Sequence, residues 1–429
     1  MLFLPFKYAI MKLVQLLIIE RMIIMKPKKL LSFVTATAIL STLISAGTVH
    51  AATKEDVIKH LTDSTKIEGL AKNAFRIVNQ YKSDKWTNIK VVSQKNLYDF
   101  DGKLVAYSID VQNGETGAKG YIILSSNKEN EPILESAIGT YSPYTELTSK
   151  LKDKTDITYI YSGILSYSIK YTDKNASNRN FAKAASNYKY FDLRDNKEID
   201  NNTVKSMTEE AKTKEHKAKN VTSAKKTWDM LSGENVKEEN IAPDYNPLSS
   251  SKIKNNSSYL YHKVISGVPD YNWYRGCAPT AAANVLAYYH HSGVPTGNAL
   301  IDELAAAMHT DSNGGTSISN ERPGIKQVAA NHGWRLAIFT DPRGKGEDES
   351  PYGDFRDEID ESDPVFCSLQ NSRYGDGHAV TGVGYEYQGT DYEYVIVHDT
   401  WSTTPVDVAI NYNSSDIGDP SWMRIHSKN

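Results

Sequence analysis

The chain predicts an α+β protein built in two parts, and three observations carry that reading. From Tyr259 onward, helical patterns come first and short apolar, β-rich runs follow. A separate meander-like pattern occupies the region between Asp101 and Leu124. The two are separated by a long run rich in Lys, Glu, Asn, Ser and Ala, with few large apolar residues. A length of 429 residues accommodates two or three domains.

Residues 1–52 read as an export segment. Met25-Lys-Pro-Lys-Lys is a short basic region, Leu30 to Gly47 is apolar, and Val49-His-Ala has small residues where a cleavage signal needs them. Met1 to Ile24 is also apolar but carries Lys7, Lys12, Glu20 and Arg21, so translation is expected to begin at Met22 or Met25. An uncleaved membrane anchor is the rival reading. No later stretch reaches the roughly 18 to 20 apolar residues of a membrane span, so no stable membrane association is expected after processing.

Residues 53–172 form the first predicted domain. Val57, Leu61, Ile67, Leu70, Ala74, Phe75 and Val78 recur at near-helical intervals over Lys54 to Tyr81. Asp101-Gly102 is a turn signal, Leu104 to Val111 a strand, and Gly120 to Leu124 its returning partner. Residues 173–258 are expected to be mainly an exposed linker and the processing region, with a helix near Thr203 to Ala218.

Residues 259–429 form the second domain. Its expected helices are Cys277 to His290, Ala299 to Met308 and Ile325 to Asn331. Its expected strands are Arg335 to Phe339, Pro364 to Gln370, His378 to Tyr385, Tyr392 to His398 and Pro405 to Ile410. From Ser251 onward, 13 Lys and Arg stand against 23 Asp and Glu. That acidic balance argues against nucleic acid as a partner. Tyrosine outnumbers phenylalanine 27 to 10, a bias that suits half-exposed strands.

Cys277 opens an apolar helical run, with Gly276 before it and Pro279 in the first turn, where a missing N–H is tolerated. The positive end of the helix favours thiolate over thiol. His378, behind the turn Gly375-Asp-Gly, starts one strand, and Asp399 ends the next. Nucleophile, base and orienting carboxylate thus appear in the order Cys, His, Asp. Trp401 is placed to shield the His–Asp bond from water. With only two cysteines the chain is no disulfide scaffold, and Cys367, in a β-rich run, reads as a buried inert thiol.

No metal or other cofactor is expected. His290 and His291 are adjacent on a helix and point about 100° apart, without a supporting Cys or carboxylate cluster. The acidic run from Glu347 through Asp363 lacks calcium-loop spacing and reads as a solvated face.

The runs Gly276-Cys-Ala-Pro-Thr-Ala-Ala-Ala-Asn-Val-Leu, Gly314-Gly-Thr-Ser, Gly377-His-Ala-Val-Thr-Gly-Val-Gly-Tyr and His398-Asp-Thr-Trp resemble a secreted, papain-like cysteine peptidase of the double-glycine-peptidase-like (bacteriocin-processing-like) group. The resemblance extends from Val268 to the C-terminus. It implies a papain-like fold, with a helical half carrying the nucleophile and an antiparallel half carrying His and Asp. Asp99 through Tyr107 and Gly120 through Ser126 are similar to the propeptide of streptopain-like peptidases. That likeness implies a small α+β pro-domain acting as an intramolecular inhibitor, the alternative being an accessory surface-binding domain. The group's usual glutamine, five or six residues before the cysteine and donating to the oxyanion, is absent. Tyr271 and Asn272 stand there, and Asn272 is the candidate donor beside the backbone N–H of Cys277.

The expected function is hydrolysis of a peptide or protein substrate by a secreted or cell-wall-associated enzyme made as a precursor. A cell-wall amidase or endopeptidase with the same triad, or a catalytically silent binding protein on this scaffold, remain open alternatives.

Overall fold

The computed structural model describes residues 54–78, 86, 88–173, 188–194, 196–213, 221–232, 240–241, 259–340, 351–370, 377–387, 393–402 and most of 404–428. The expected export segment lies outside these residues. Glu68–Asn429 forms one compact unit and Met1–Ile67 another. Of the first unit only the start of α1 (Lys54–Ile77) is described.

In the N-terminal half, β1 (Ile89–Tyr98), β2 (Leu104–Asn113), β3 (Lys119–Ser125) and β4 (Ile133–Ile138) form an antiparallel meander in which β2 and β3 cover the two expected strands and β1 was not foreseen. The turn at Asp101-Gly102 is real, with Gly102 at a φ of 82° that favours glycine. The short helix α2 (Pro143–Thr148) leads into the hairpin β5 (Lys154–Gly163) and β6 (Ser166–Asp173). Two further strands, β7 (Lys189–Asp192) and β8 (Lys197–Ile199), extend that sheet inside the stretch expected to be mainly linker. They bury Phe191 and Leu193, apolar side chains too sparse in this polar run to register as a pattern. Helices α3 (Asn201–Thr213) and α4 (Val221–Ser232) follow, the first close to the expected helix, and then the two-residue strand β9 (Asn240–Ile241).

The C-terminal half holds β10 (Tyr259–Val264), α5 (Cys277–Tyr288), α6 (Gly297–Ala307), α7 (Ile318–Asn331), β11 (Arg335–Thr340), α8 (Pro351–Glu361), β12 (Val365–Gln370), β13 (Gly377–Tyr387), β14 (Glu393–His398), β15 (Val408–Asn411) and β16 (Ser421–Lys428). Helices precede antiparallel strands, as expected. Helix α7 begins seven residues before the expected start at Ile325, and it holds Pro323 inside its span. Helix α8 corrects part of the reading of the acidic run as a solvated face: Asp357 and Glu361 are exposed, but Asp354 and Glu358 are buried with Tyr352, Phe355 and Ile359, and Glu347-Asp-Glu lies outside the described residues. The Glu358 carboxylate is bound there by Arg424 and His426, partners too far along the chain for spacing to suggest.

Among the described residues one sheet joins both halves, in the order β11-β16-β12-β13-β14-β15-β4-β3-β2-β1-β5-β6-β7-β8. The junction is the antiparallel pairing of β15 with β4, which sets Val408 opposite Ala137 and Ile410 opposite Glu135. It is reinforced where the Asn411 amide and the Tyr394 hydroxyl both donate to the carbonyl of Ile133.

The tyrosine bias has two sources: Tyr98, Tyr159, Tyr190 and Tyr261 lie half-buried on strands, as expected, and others are core residues. Tyr121, Tyr144, Tyr161, Tyr167, Tyr352, Tyr385 and Tyr394 are fully buried. Most find an acceptor: the hydroxyls of Tyr161 and Tyr167 donate to the buried Glu135 carboxylate, and that of Tyr144 donates to the carbonyl of Ile160. Buried tyrosine thus supplies apolar bulk together with a donor that a buried acceptor needs.

Candidate active site

Helix α5 is nearly all buried, from Ala278 to Ala287. Its run of alanines allows α6, α7 and the sheet residues Phe366, Ala379 and Met423 to pack closely around it. Asn284, wholly buried, fixes the helix on two sides. Its side-chain oxygen accepts the N–H of Tyr271 at 2.9 Å, and its amide donates to Thr381 Oγ1 on β13 at 3.1 Å. Thr381 Oγ1 in turn donates to the carbonyl of Ala281 at 3.1 Å. The entry to α5 is equally tight. A Cβ on Gly276 would lie 2.5 Å from the carbonyl oxygen of Gly314, so only glycine fits.

Cys277 is the first residue of α5. The backbone N–H groups of Ala379 and Ala278 bear on its sulfur, which brings the thiol beside the residue that follows His378. The expectation of a depressed thiol is reversed. Burial pushes the Cys277 thiol up, Glu321 adds to that, and the two N–H groups and Arg194 only partly oppose it.

His378 is the second residue of β13 and is buried. Its Nε2 hydrogen-bonds the backbone oxygen of Asp399 at 2.8 Å. The Trp401 ring stacks on it with centroids 4.7 Å apart and an interplanar angle of 10°. Burial, assisted by Arg194, depresses the imidazole to about 3, against the raising effects of the Asp399 carbonyl and Asp192. Thiol and imidazole are therefore both neutral near neutral pH in this form.

Asp399 approaches His378 through its main chain. Its carboxylate instead accepts the N–H of Trp401 at 2.9 Å and the hydroxyl of Thr404. Burial raises the Asp399 carboxyl to about 8, although Thr404 and Trp401 both pull it down. Thr400, between Asp399 and Trp401, has a φ of 67° in the left-handed region, unusual for a β-branched residue and a local strain at the site. The N–H of Trp273 donates to the Thr400 carbonyl at 2.6 Å, tying the loop before α5 to this turn. Asn272 sits in that loop, exposed, between Tyr271 and Trp273, whose N–H groups are both held.

Two neighbours of the site carried no sequence signal. Glu321, buried on α7, accepts the Ser368 hydroxyl at 2.7 Å, and burial lifts its carboxyl to about 7. Arg194, between β7 and β8, lies over Trp401 with its Cζ 5.3 Å from the ring centroid. It precedes the nucleophile by more than eighty positions, so only the fold brings the two together.

Glu358, Asp363 and His426 offer ligand atoms within 4.8 Å of one another. Arg424 and His426 already engage the Glu358 carboxylate, and Asp363 accepts the Tyr289 hydroxyl. A guanidinium on the central carboxylate is a poor neighbour for a metal ion. His290 and His291, read as lying on a helix, fall just beyond the end of α5 at Tyr288, and His291 stacks on Trp334 at 4.8 Å. Both cysteines are free, and Cys367 is buried in β12.

Residues 265–428 match the model of the Peptidase_C39 like family, which supports a cysteine-type peptidase. The matched span runs from just after β10 to the end of β16 and contains Cys277, His378 and Asp399. No curated protein matches the chain.

Proposed function

We propose that this chain is a secreted cysteine peptidase made as a precursor. The observation that carries the reading is the docking of the Cys277 thiol, at the start of α5, against the N–H of Ala379, next to His378. In the working state the imidazole of His378 takes the thiol proton as Cys277 Sγ attacks the scissile carbonyl. The tetrahedral oxyanion is met by the backbone N–H of Cys277 and the side-chain amide of Asn272. His378 then returns the proton to the leaving amine, and a thioester remains on Cys277. Water, deprotonated by the same imidazole, hydrolyses that acyl-enzyme and restores the thiol.

Asp399 orients the ring through its backbone carbonyl, while its carboxylate fixes the turn that presents Trp401. The 1–52 segment directs export, and the N-terminal half acts as an inhibitor that is separated by a cut between Asp173 and Tyr259. No helix among the described residues is long and apolar enough to cross a membrane.

The test is intact-mass labelling with an active-site-directed epoxide, before and after limited proteolysis, beside Cys277→Ala. One adduct on the wild type and none on the variant is expected, with labelling faster after the cut. A second reading, a silent scaffold, draws on the neutral thiol–imidazole pair; absence of any adduct in both forms would favour it over the peptidase.

A further inference from the structure

The corner Asp192–Arg194 belongs to the N-terminal half but lies on the His378 wall of the site. Trp401 stands between them, stacked on the imidazole and carrying the guanidinium of Arg194 over its ring. That guanidinium is rigidly held. Its Nη2 donates to Asp192 Oδ2 at 3.0 Å and its Nε to Asp192 Oδ1 at 3.3 Å. Its Nη1 donates to the Leu165 carbonyl at 3.0 Å and to Ser166 Oγ at 3.2 Å. The corner is pinned as well, because the N–H of the buried Leu193 donates to the Tyr167 carbonyl at 2.9 Å. With its donors used by its own half, Arg194 is a fixed cation over the indole, a contact that gains strength where water is excluded.

We propose that Asp192–Arg194 is a latch, in which the N-terminal half closes the leaving-group side of the site by seating Arg194 on Trp401. The inference rests on the peptidase reading. An acyl transfer that ends with His378 protonating the leaving amine requires the substrate beyond the scissile bond to pass the imidazole. The wall of that passage is Trp401, and the corner covers it. The cation also acts on the two reacting groups in opposite senses: it opposes protonation of His378 and eases deprotonation of Cys277. For His378 it is second only to burial, whereas for Cys277 it ranks behind burial and two backbone N–H groups. The net effect is a site with a weakened general base and a covered exit. The β15–β4 pairing would hold the two halves together while the corner lifts, so the latch is local.

The experiment compares full-length wild type, Arg194→Ala and Arg194→Lys in two assays at neutral pH, with Cys277→Ala as the blank. One assay is iodoacetamide alkylation of Cys277, read by peptide mass. The other is hydrolysis of denatured casein. Arg194→Ala is expected to raise both rates about three- to tenfold, the span of a partly desolvated cation–π contact. Arg194→Lys, which keeps the charge but not the plane, is expected to fall between. Thermal unfolding checks that each variant is folded, and if Arg194→Ala is not, the lysine variant carries the comparison. Alkylation and hydrolysis present but unchanged would overturn the latch and leave the peptidase standing. Slower alkylation in Arg194→Ala would overturn it too, showing that the cation serves the thiolate. If no variant is alkylated or cleaves casein, the peptidase reading falls and the latch with it.

Discussion

The two walls of the candidate site are held by different physics. The Cys277 wall is a close-packed helix: small side chains, a glycine that admits no Cβ, and an asparagine bonded to neighbours on two sides. The His378 wall is a polar turn, strained at Thr400, tied by the Asp399 carboxylate and covered by a residue from the other half of the chain. Packing gives the first wall one arrangement, because interiors near crystal density do not deform gradually. Hydrogen bonds and a stacked cation give the second a holding energy that can be released. A proposed nucleophile that stays still beside a histidine that can be uncovered fits the proposed precursor.

The most damaging change to the first wall is Asn284→Ala. It strands the N–H of the half-buried Tyr271 and removes the amide that Oγ1 of the fully buried Thr381 accepts. Leaving buried partners unsatisfied costs about 1–3 kcal/mol each, so a loss of about 2–5 kcal/mol is expected in urea denaturation. Alkylation of Cys277 should change with it, since the helix and the loop before it lose their common pin. A loss below about 1 kcal/mol would show that the wall is held by alanine packing alone.

The contrast also explains what the sequence disclosed. Cys277, His378 and Asp399 stood out because each sits at the end of a periodic element, and the helix-then-strand order is a local property of residues 259–410. Strand β16 was missed because Arg424 and His426 break up the short apolar run of Trp422, Met423 and Ile425, and their bonding to Glu358 is visible only in three dimensions. Helix α8 was hidden because Asp354 and Glu358 look solvated in a run of charges. The atom that Asp399 offers to His378, a carbonyl and not a carboxylate, is set by the Thr400 backbone. Arg194 could not be read at all, because a contact across the β15–β4 junction leaves no periodicity behind. Non-local polar contacts carry the unread part of this site, and local patterning carries the read part.

Glu321→Gln probes the floor beneath the nucleophile with a smaller effect. The folded carboxyl titrates near 7, above the ordinary 4.5, so the native state keeps a proton that the unfolded chain gives up between those values. Stability from this group is therefore intact below about pH 4.5, falls as pH rises through the window, and levels off above about pH 7. Glutamine stays neutral and retains a partner for Ser368. The variant should match wild type at pH 4 and become the more stable by up to about 3 kcal/mol at neutral pH. Parallel stability profiles for the two proteins would show that Glu321 is not held protonated.

Thr404→Val gives the finest cut, on the turn of the second wall. Valine keeps the volume but removes the hydroxyl that Asp399 Oδ2 accepts, while the Trp401 N–H bond to Oδ1 remains. Losing one hydrogen bond at a buried carboxyl is expected to cost about 1–2 kcal/mol in stability. The Thr404 bond is also the strongest influence lowering the Asp399 carboxyl, so its loss moves that group further above 8 and removes what is left of the ionised form at neutral pH. If the carboxylate works only by shaping the turn, protonation leaves the carbonyl at His378 in place, and casein hydrolysis should fall less than about threefold. If the carboxylate charge itself supports the imidazolium, hydrolysis should fall far more than stability does, and Asp399→Asn should reproduce that fall with the turn intact. The pair of variants decides whether Asp399 acts by charge, as its place in the sequence suggests, or by the shape its main chain gives to the wall.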